Sequence, residues 1–440
     1  MSVSRSSAGA AAPSASERDG VPAAAGTGAG AGTEEIGVLG VGLLGQGTVG
    51  AAFATLLDER AEAVRRLTGR RPRLSGVLTR SKGDFDEILA ASDAIVELIG
   101  GLEPAREYLL RALRAGRHVV TANKQLLSHH GEELFEAARE GGAQLRFEAA
   151  IAGVVPVVRV LSESLAGAHI ERVHGIVNGT TNFILTEMAA GASYEQALAE
   201  AQRKGYAEAD PSEDVSGKDA AAKMAILARI AFGTPVHIDQ VPYEGIERLQ
   251  TDDLQYAREL GLGLKLIGTA ERRDGGLSVR VHPAFLYEGH PLASVTGSYN
   301  AVTVESEAIT EITMSGPGAG GRQTASAVLG DLISAMLPAP LPLTPLEPLP
   351  LVSDVQSGFY IHIELADSPG ALASVAQALG EQGASIKSVV QRGLGERARL
   401  VMVIHPLHES KLRKALERIA ELDFLRSTPR AIRVIEEEFM

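Results

Sequence analysis

The chain has 440 residues, of which 45% are hydrophobic and 22% charged, and it carries a formal net charge of -13. That length allows about two or three domains with sizeable cores, and the acidic balance disfavours nucleic acid as a partner. No apolar run is long enough to cross a bilayer, and the absence of cysteine excludes disulfides, thiolate metal sites and a cysteine nucleophile. A cytoplasmic protein is the expectation, with neither a nucleic-acid nor a membrane partner.

Residues 1–34 are rich in Ala, Gly and Ser and lack a basic start followed by an apolar core. They read as a disordered tail, not a signal peptide. In residues 35–147 an apolar, β-favouring run from Ile36 to Leu44 leads into Gly45-Gln46-Gly47-Thr48-Val49-Gly50 and then a helical pattern from Ala51 to about Leu67. Strands at Leu74–Leu78, Ala94–Leu98 and His118–Val120 alternate with helices near Phe85–Ala90, Ala105–Ala115 and Gly131–Glu140. Such alternation predicts an α/β fold, a doubly wound Rossmann-type parallel sheet with helices on both faces.

The pattern changes over residues 148–316. Glycines and β-branched residues dominate to Thr181, and two helices follow near Tyr194–Lys204 and Gly217–Ala231. Strand-like runs at Leu277–His282 and Ala301–Thr313 predict an antiparallel or mixed sheet in a second, α+β domain. Residues 317–337 supply a helix, Thr324–Met336, that returns to the first domain. Residues 338–357 open with a proline at every second or third position and predict a semi-rigid extended linker. Residues 358–440 read strand, helix, strand, strand, helix, strand, the order of a ferredoxin-like sandwich.

The glycine motif has the strand before it and the helix after it that nucleotide binding requires. Gly45, Gly47, Thr48, Val49 and Gly50 would bring backbone and a helix N-terminus against a pyrophosphate. The acidic residue that grips a ribose diol is missing from the end of the second strand, where the sequence reads Val77-Leu78-Thr79-Arg80-Ser81-Lys82. Arg80 is either a partner for the 2′-phosphate of NADP or a solvated surface residue. The reading leans to NADP and leaves NAD open.

Lys124 follows an apolar strand, where ligands of doubly wound sheets sit. Glu208, Asp210, Asp214 and Asp219 form an acidic run suited to an ammonium group, and Asp219 and Lys223 share a helix face at a spacing of four. An aldehyde reductase needs a proton donor for the developing alkoxide, a role open to lysine. The competing reading is a routine surface ion pair. The adjacent His129-His130 would diverge on a helix and read as surface residues, and no other histidines show ligand spacing.

Together these segments resemble the homoserine dehydrogenase family over about residues 36–336. The resemblance rests on Gly42–Gly50, Val96–Gly101, Thr121–Lys124, Glu148–Pro156, Val177–Leu185, Gly205–Lys223 and Gly316–Gly321. It implies NAD(P)H-dependent interconversion of L-aspartate 4-semialdehyde and L-homoserine. It also implies Lys223 as proton donor, Asp219 as its partner in catalysis or substrate binding, Glu208 and Asp214 in substrate binding, and Lys124 between cofactor and substrate. Gly205 and Gly320 resemble glycines lining the cofactor. Glu148, with the carbonyls of Ile151, Gly153 and Val155, resembles a sodium or potassium site. A homo-dimer or tetramer is further implied, built partly through residues 148–316 as a substrate-binding and oligomerisation domain.

Residues from Gly358 to Arg433 resemble an ACT domain, through Ile363-Glu364-Leu365-Ala366-Asp367-Ser368-Pro369-Gly370-Ala371-Leu372. That implies an amino-acid effector near Asp367, with threonine as the end-product candidate, or a purely oligomerising domain. An aspartate-semialdehyde dehydrogenase is excluded, since its chemistry uses a cysteine. A bifunctional kinase fusion would need far more chain before Ile36. The alternative from another class is a non-catalytic amino-acid sensor on a nucleotide-binding fold.

Overall fold

The structure, a computed structural model, describes residues 37–273, 275–337, 348–393 and 398–435. The expected N-terminal tail and linker residues 338–347 lie outside the described residues.

The first sheet is parallel. Its strands are β1 (Val38–Leu44), β2 (Arg71–Leu78), β3 (Ala94–Glu97), β4 (His118–Thr121) and β5 (Leu145–Arg146), in the order β2-β1-β3-β4-β5. Its helices are α1 (Thr48–Glu59), α2 (Ala61–Thr68), α3 (Phe85–Ala90), α4 (Ala105–Arg114) and α5 (Lys124–Gly141). The strands are buried on both faces, as parallel crossovers demand. The order reverses between β1 and β3, which opens a crevice at their carboxyl ends.

The sequence expected one helix after the glycine turn, and two form, α1 and α2, meeting at Arg60. The helix expected from Gly131 begins instead at Lys124 and bends at His130 (φ -130°). Asn123 caps it by accepting the Leu126 N–H at 3.0 Å. A polar tripeptide ahead of an apolar pattern hides such a start, because the cap and not the periodicity defines it.

The second region follows with the single turn α6 (Val157–Arg159), β6 (Arg172–Ile176), α7 (Gly179–Ala189), α8 (Tyr194–Arg203), α9 (Ser212–Val215) and α10 (Lys218–Phe232). Then come α11 (Thr251–Glu259), β7 (Leu262–Arg273), β8 (Gly276–Tyr287), β9 (Tyr299–Ser306), β10 (Thr310–Pro317) and α12 (Gly321–Ala335). The run read as one strand to Thr313 is a hairpin, β9 with β10, turned at Thr310 (φ 60°). The Val177–Leu185 segment, read as glycine and β-branched, carries α7 because Asn178 caps it through the Thr181 N–H at 2.8 Å. α12 packs Ala325, Val328, Leu329 and Leu332 into the cluster holding Leu39, Val41 and Phe53 of β1 and α1.

The C-terminal region adds β11 (Gln356–Leu365), α13 (Ala371–Glu381), β12 (Ile386–Arg392), β13 (Ala398–His408), α14 (Glu409–Ala420) and β14 (Arg430–Ile435). Its strands lie in the order β14-β11-β13-β12, with Val375, Leu379, Leu412 and Ile419 of the helices closing one core. This sheet is not separate. β14 pairs in parallel with β8, Val434 opposite Phe285, which makes one nine-stranded sheet. The described part of the expected linker is also pinned, since the Pro350 carbonyl accepts the Leu277 N–H at 2.7 Å.

Candidate active site

The glycine turn is fixed by close packing. Gly45 has φ 98°, and a Cβ there would lie 2.5 Å from the Leu98 carbonyl oxygen. A Cβ on Gly50 would lie 2.1 Å from the Gly45 carbonyl oxygen, so α1 sits against the turn only with glycine there. Gly47, at the N-cap, faces open space, and no side chain caps the N–H groups of the first turn, Thr48-Val49-Gly50. Open amides at a helix N-terminus attract a phosphate, so the turn fits a dinucleotide. Arg80 is exposed in the turn just beyond β2, closed by the Thr79–Lys82 bridge.

Gly320 (φ 133°) starts α12, and a Cβ on its neighbour Gly321 would lie 3.0 Å from Thr48 Cγ2. The α12 N-terminus therefore abuts the α1 N-terminus. Gly205 (φ 74°) lies elsewhere, in the exposed turn after α8, next to Tyr206, whose carbonyl accepts the Thr180 hydroxyl at 2.7 Å.

The ends of β3 and β4 are tied by Glu97, a residue the sequence reading gave no role. Its carboxylate accepts the N–H groups of Ile99 and Gly100 at 2.8 and 2.9 Å and the Thr121 hydroxyl at 2.6 Å. This braces the loop that delivers Lys124 to the first turn of α5. Lys124 Nζ is 2.8 Å from Asp219 Oδ1, and Lys223 Nζ is 2.8 Å from Asp219 Oδ2. Asp219 and Lys223 stand one turn apart on α10, and α10 packs beside α5. Lys223 also donates to the Val177 carbonyl at 2.7 Å.

Asp219 is only 4% exposed. Burial pushes its carboxyl up, but the ammonium groups of Lys223 and Lys124 outweigh that and hold it well below the usual carboxylate range. The Asp219 charge in turn raises Lys124, keeping it an ammonium. Asp214 is raised, by burial and then by Asp219. Its Oδ1 accepts from Asn178 Nδ2 at 2.7 Å, and the same amide donates to Asp219 Oδ2 at 2.9 Å. A cleft of about 630 Å³ lies over this cluster, bordered by Lys124, Glu208, Asp214, Lys218, Asp219 and Glu247. Glu208 and Asp210 are exposed at its rim.

Sequence reasoning missed Asn178 and Val177 as parts of the cluster. They lie within a segment singled out as distinctive, but their partners are 36 to 46 residues away. His129 and His130 are partly buried, not surface residues as expected, because α5 bends there and the His129 ring meets His237 edge-on.

Glu148 is buried, and its two carboxylate oxygens accept the N–H groups of Val158 and Arg159 at 2.8 and 3.0 Å. Its own N–H donates to Asp331 of α12 at 2.8 Å. Burial pushes the Glu148 carboxyl up to about 7, and burial with the Glu148 charge pushes Asp331 up to about 7. Gly153 (φ 70°) packs against the Pro317 and Gly318 carbonyls. The Val155 carbonyl accepts the Val157 N–H at 2.8 Å, while those of Ile151 and Gly153 accept no backbone N–H among the described residues. No group of three or more His, Asp or Glu side chains suited to a metal occurs among the described residues. The donors on offer at this loop are thus mainly carbonyl oxygens, which suits a hard monovalent cation more than a transition metal.

In the C-terminal region Asp367 is exposed ahead of α13, and its Oδ1 accepts from Gln391 Nε2 at 3.1 Å. No helix among the described residues is long and apolar enough to cross a membrane.

Comparison with known proteins joins these parts. Residues 45–148 match the family model for the homoserine dehydrogenase NAD-binding domain, residues 156–333 the model for homoserine dehydrogenase, and residues 359–424 the ACT domain. Homoserine dehydrogenase from Corynebacterium glutamicum is 41% identical over 408 residues, covering 86% of this chain and 92% of that protein. The Mycobacterium tuberculosis H37Rv homoserine dehydrogenase is 40% identical over 435 residues, covering 90% and 97%. Among solved structures, a Thiobacillus denitrificans homoserine dehydrogenase superposes with a TM-score of 0.86 at 37% identity, covering 90% of this chain and 98% of that one. A hyperthermophilic archaeal homoserine dehydrogenase mutant in complex with NADPH gives 0.58 at 29% identity, covering 69% and 99%. An NAD-binding domain, a homoserine dehydrogenase domain and an ACT domain in this order, with 41% identity to such a relative over nearly its full length, make this chain an oxidoreductase of the homoserine dehydrogenase family.

Proposed function

We propose that the protein interconverts L-aspartate 4-semialdehyde and L-homoserine, with Lys223 as the proton donor in the reducing direction and Asp219 as its partner. The observation that carries this reading is the Asp219 carboxylate shared by Lys124 and Lys223 under an open cleft. A lysine ammonium has three N–H donors. Lys223 gives one to Asp219 and one to the Val177 carbonyl, which leaves one for a substrate oxygen. Two fixed acceptors hold that third N–H in place, so its proton can pass to a forming alkoxide without reorganisation. Lys124 adds positive charge between cofactor and substrate. Asp214, half-buried, and Glu208, at the rim, take the substrate ammonium group.

The nicotinamide nucleotide supplies or accepts the hydride when bound. Gly45, Gly47, Thr48, Val49 and Gly50 would hold its pyrophosphate, with Gly320 beside them, and Gly205, in the turn after α8, would line another part of it. Arg80, cationic where an acidic residue would grip a ribose diol, favours NADP over NAD. The Ile151, Gly153 and Val155 carbonyls with Glu148 would hold sodium or potassium in the loop that packs against α12 through Asp331. Threonine acts through the ACT domain near Asp367, in a cytoplasmic homo-dimer or tetramer.

The test is cofactor reduction by purified protein with L-homoserine, comparing NADP with NAD, in sodium or potassium, with and without threonine. Turnover faster with NADP and suppressed by threonine is expected. Turnover indifferent to threonine removes the feedback assignment alone. Folded protein that turns over neither cofactor overturns the enzymatic reading and favours a non-catalytic sensor.

A further inference from the structure

The geometry points to Asn178 as a positioning residue that holds the Asp214 and Asp219 carboxylates side by side and leaves Asp214 one free oxygen for the substrate ammonium group. The inference rests on the proposed reaction and deepens it. A buried carboxylate, Asp219, and a half-buried one, Asp214, repel in one site, and a neutral donor to both offsets that repulsion without adding charge to the cleft. Asn178 is 4% exposed, and its Nδ2 gives one hydrogen to Asp214 Oδ1 at 2.7 Å and the other to Asp219 Oδ2 at 2.9 Å. Its Oδ1 cannot trade places with that nitrogen. It accepts the Thr181 N–H at 2.8 Å and the Thr181 hydroxyl at 3.0 Å as the N-cap of α7. The helix terminus therefore sets the direction of the amide.

The result is a division of labour. Asp219 receives Lys124, Lys223 and Asn178 and has no ready capacity for substrate. Asp214 receives Asn178 alone, and no described residue bonds to its Oδ2. Around Asp214 stand Asp219 and Lys223 from α10, Lys124 from α5 and Glu213 on its own helix, with Glu208, Lys218 and Glu247 along the same cleft. Only asparagine meets all three demands here. Aspartate can cap α7 but has no N–H to give, and serine can cap but is too short to bridge two carboxylates.

The test uses the variants Asn178→Ser and Asn178→Asp, both of which keep an oxygen for the cap. In each, kcat/KM for homoserine should fall about 100-fold, the scale of losing two hydrogen bonds to charged groups. The KM for NADP should stay within about twofold, since the bridge is remote from the nucleotide turn. The acid limb of the kcat/KM profile should move to higher pH, because Asp214 loses a bond that favours its charged form. Asn178→Asp should move it further than Asn178→Ser by adding a like charge. A folded variant with kcat/KM within about threefold of wild type overturns the proposal. So does a loss in which thermal stability and both KM values change together while the acid limb stays in place, because that is damage to α7 alone. Wild type that never oxidises homoserine sinks the reaction itself, whereas active wild type with indifferent variants sinks only the bridge.

Discussion

Two buried carboxylates in this chain are each gripped by two basic side chains, and they do different work. Asp219 sits between Lys124 and Lys223. Asp253, at the start of α11, accepts from Arg430 of β14 at 3.0 Å, and the same oxygen is 2.8 Å from His362 Nδ1 of β11. Burial pushes both carboxyls up, and in both the basic partners win and hold them below the ordinary range. The difference is what lies beyond the cluster. Asp219 has a cleft of about 630 Å³ above it. Asp253 is 0% exposed, and the Tyr256 ring closes edge-on over His362 with centroids 5.7 Å apart. Solvent-accessible pairs, Arg399 with Asp252 at 2.9 Å and Arg392 with Glu259 at 2.7 Å, continue along α11 outside the seal. On the proposed reading, the same ionic chemistry serves a reaction where the cluster opens on a cleft, and a joint where it faces protein. The joint lies where the ACT strands meet the catalytic region, the same seam at which β14 pairs with β8.

The largest test of this contrast is Lys223→Ala. It should lower kcat by at least about 100-fold, the scale of lost general acid catalysis. The thermal midpoint should stay within a few degrees, because Asp219 keeps Lys124 and Asn178. Steady-state kinetics beside a melting curve checks both halves, and unchanged turnover would remove Lys223 from the chemistry. The reciprocal variant is Asp253→Asn. Taking the charge from a sealed cluster of this kind costs about 3–5 kcal/mol of stability. Denaturant unfolding should show that loss, with kcat per folded molecule within about twofold of wild type. If Asp253→Asn instead folded normally and lost turnover, the two clusters would not differ in kind.

Parts of this arrangement were legible in the sequence for local reasons. The Gly45–Gly50 turn announces itself because strand, turn and helix are contiguous, and Asp219 and Lys223 are related by helical spacing. Lys124 could be placed at the carboxyl edge of the sheet because it follows a strand end. What local pattern does not encode is partnership across folds of the chain. Asp253 and His362 are 109 residues apart and Asp253 and Arg430 are 177 apart. Asn178 bridges Asp214 and Asp219 through an amide whose direction depends on the α7 cap. Glu148 shows the same limit, since no local pattern foretells that its carboxylate accepts the N–H groups of Val158 and Arg159 while its own N–H donates to Asp331. The continuous nine-stranded sheet was equally hidden, because β14 has no sequence feature that selects β8 as its neighbour.

The smallest expected effect concerns pH, and it separates charge from shape in the sealed cluster. The folded Asp253 carboxyl lies below its ordinary value, so the folded state binds its proton less readily than the unfolded chain. Its stabilising contribution is therefore full above the unfolded value, about 3.9, and is lost as pH falls through the folded one. Asparagine at 253 has no such proton to bind. The stability gap between wild type and Asp253→Asn should then be widest near about pH 7 and narrow once pH drops below about 4. Urea midpoints for the two proteins across that range measure it. A gap that stays constant down to acid pH would mean that His362 and Arg430 recognise the shape and hydrogen bonds of residue 253 and not its charge. The joint would then hold the ACT region by packing, and the likeness between the two clusters would be one of geometry alone.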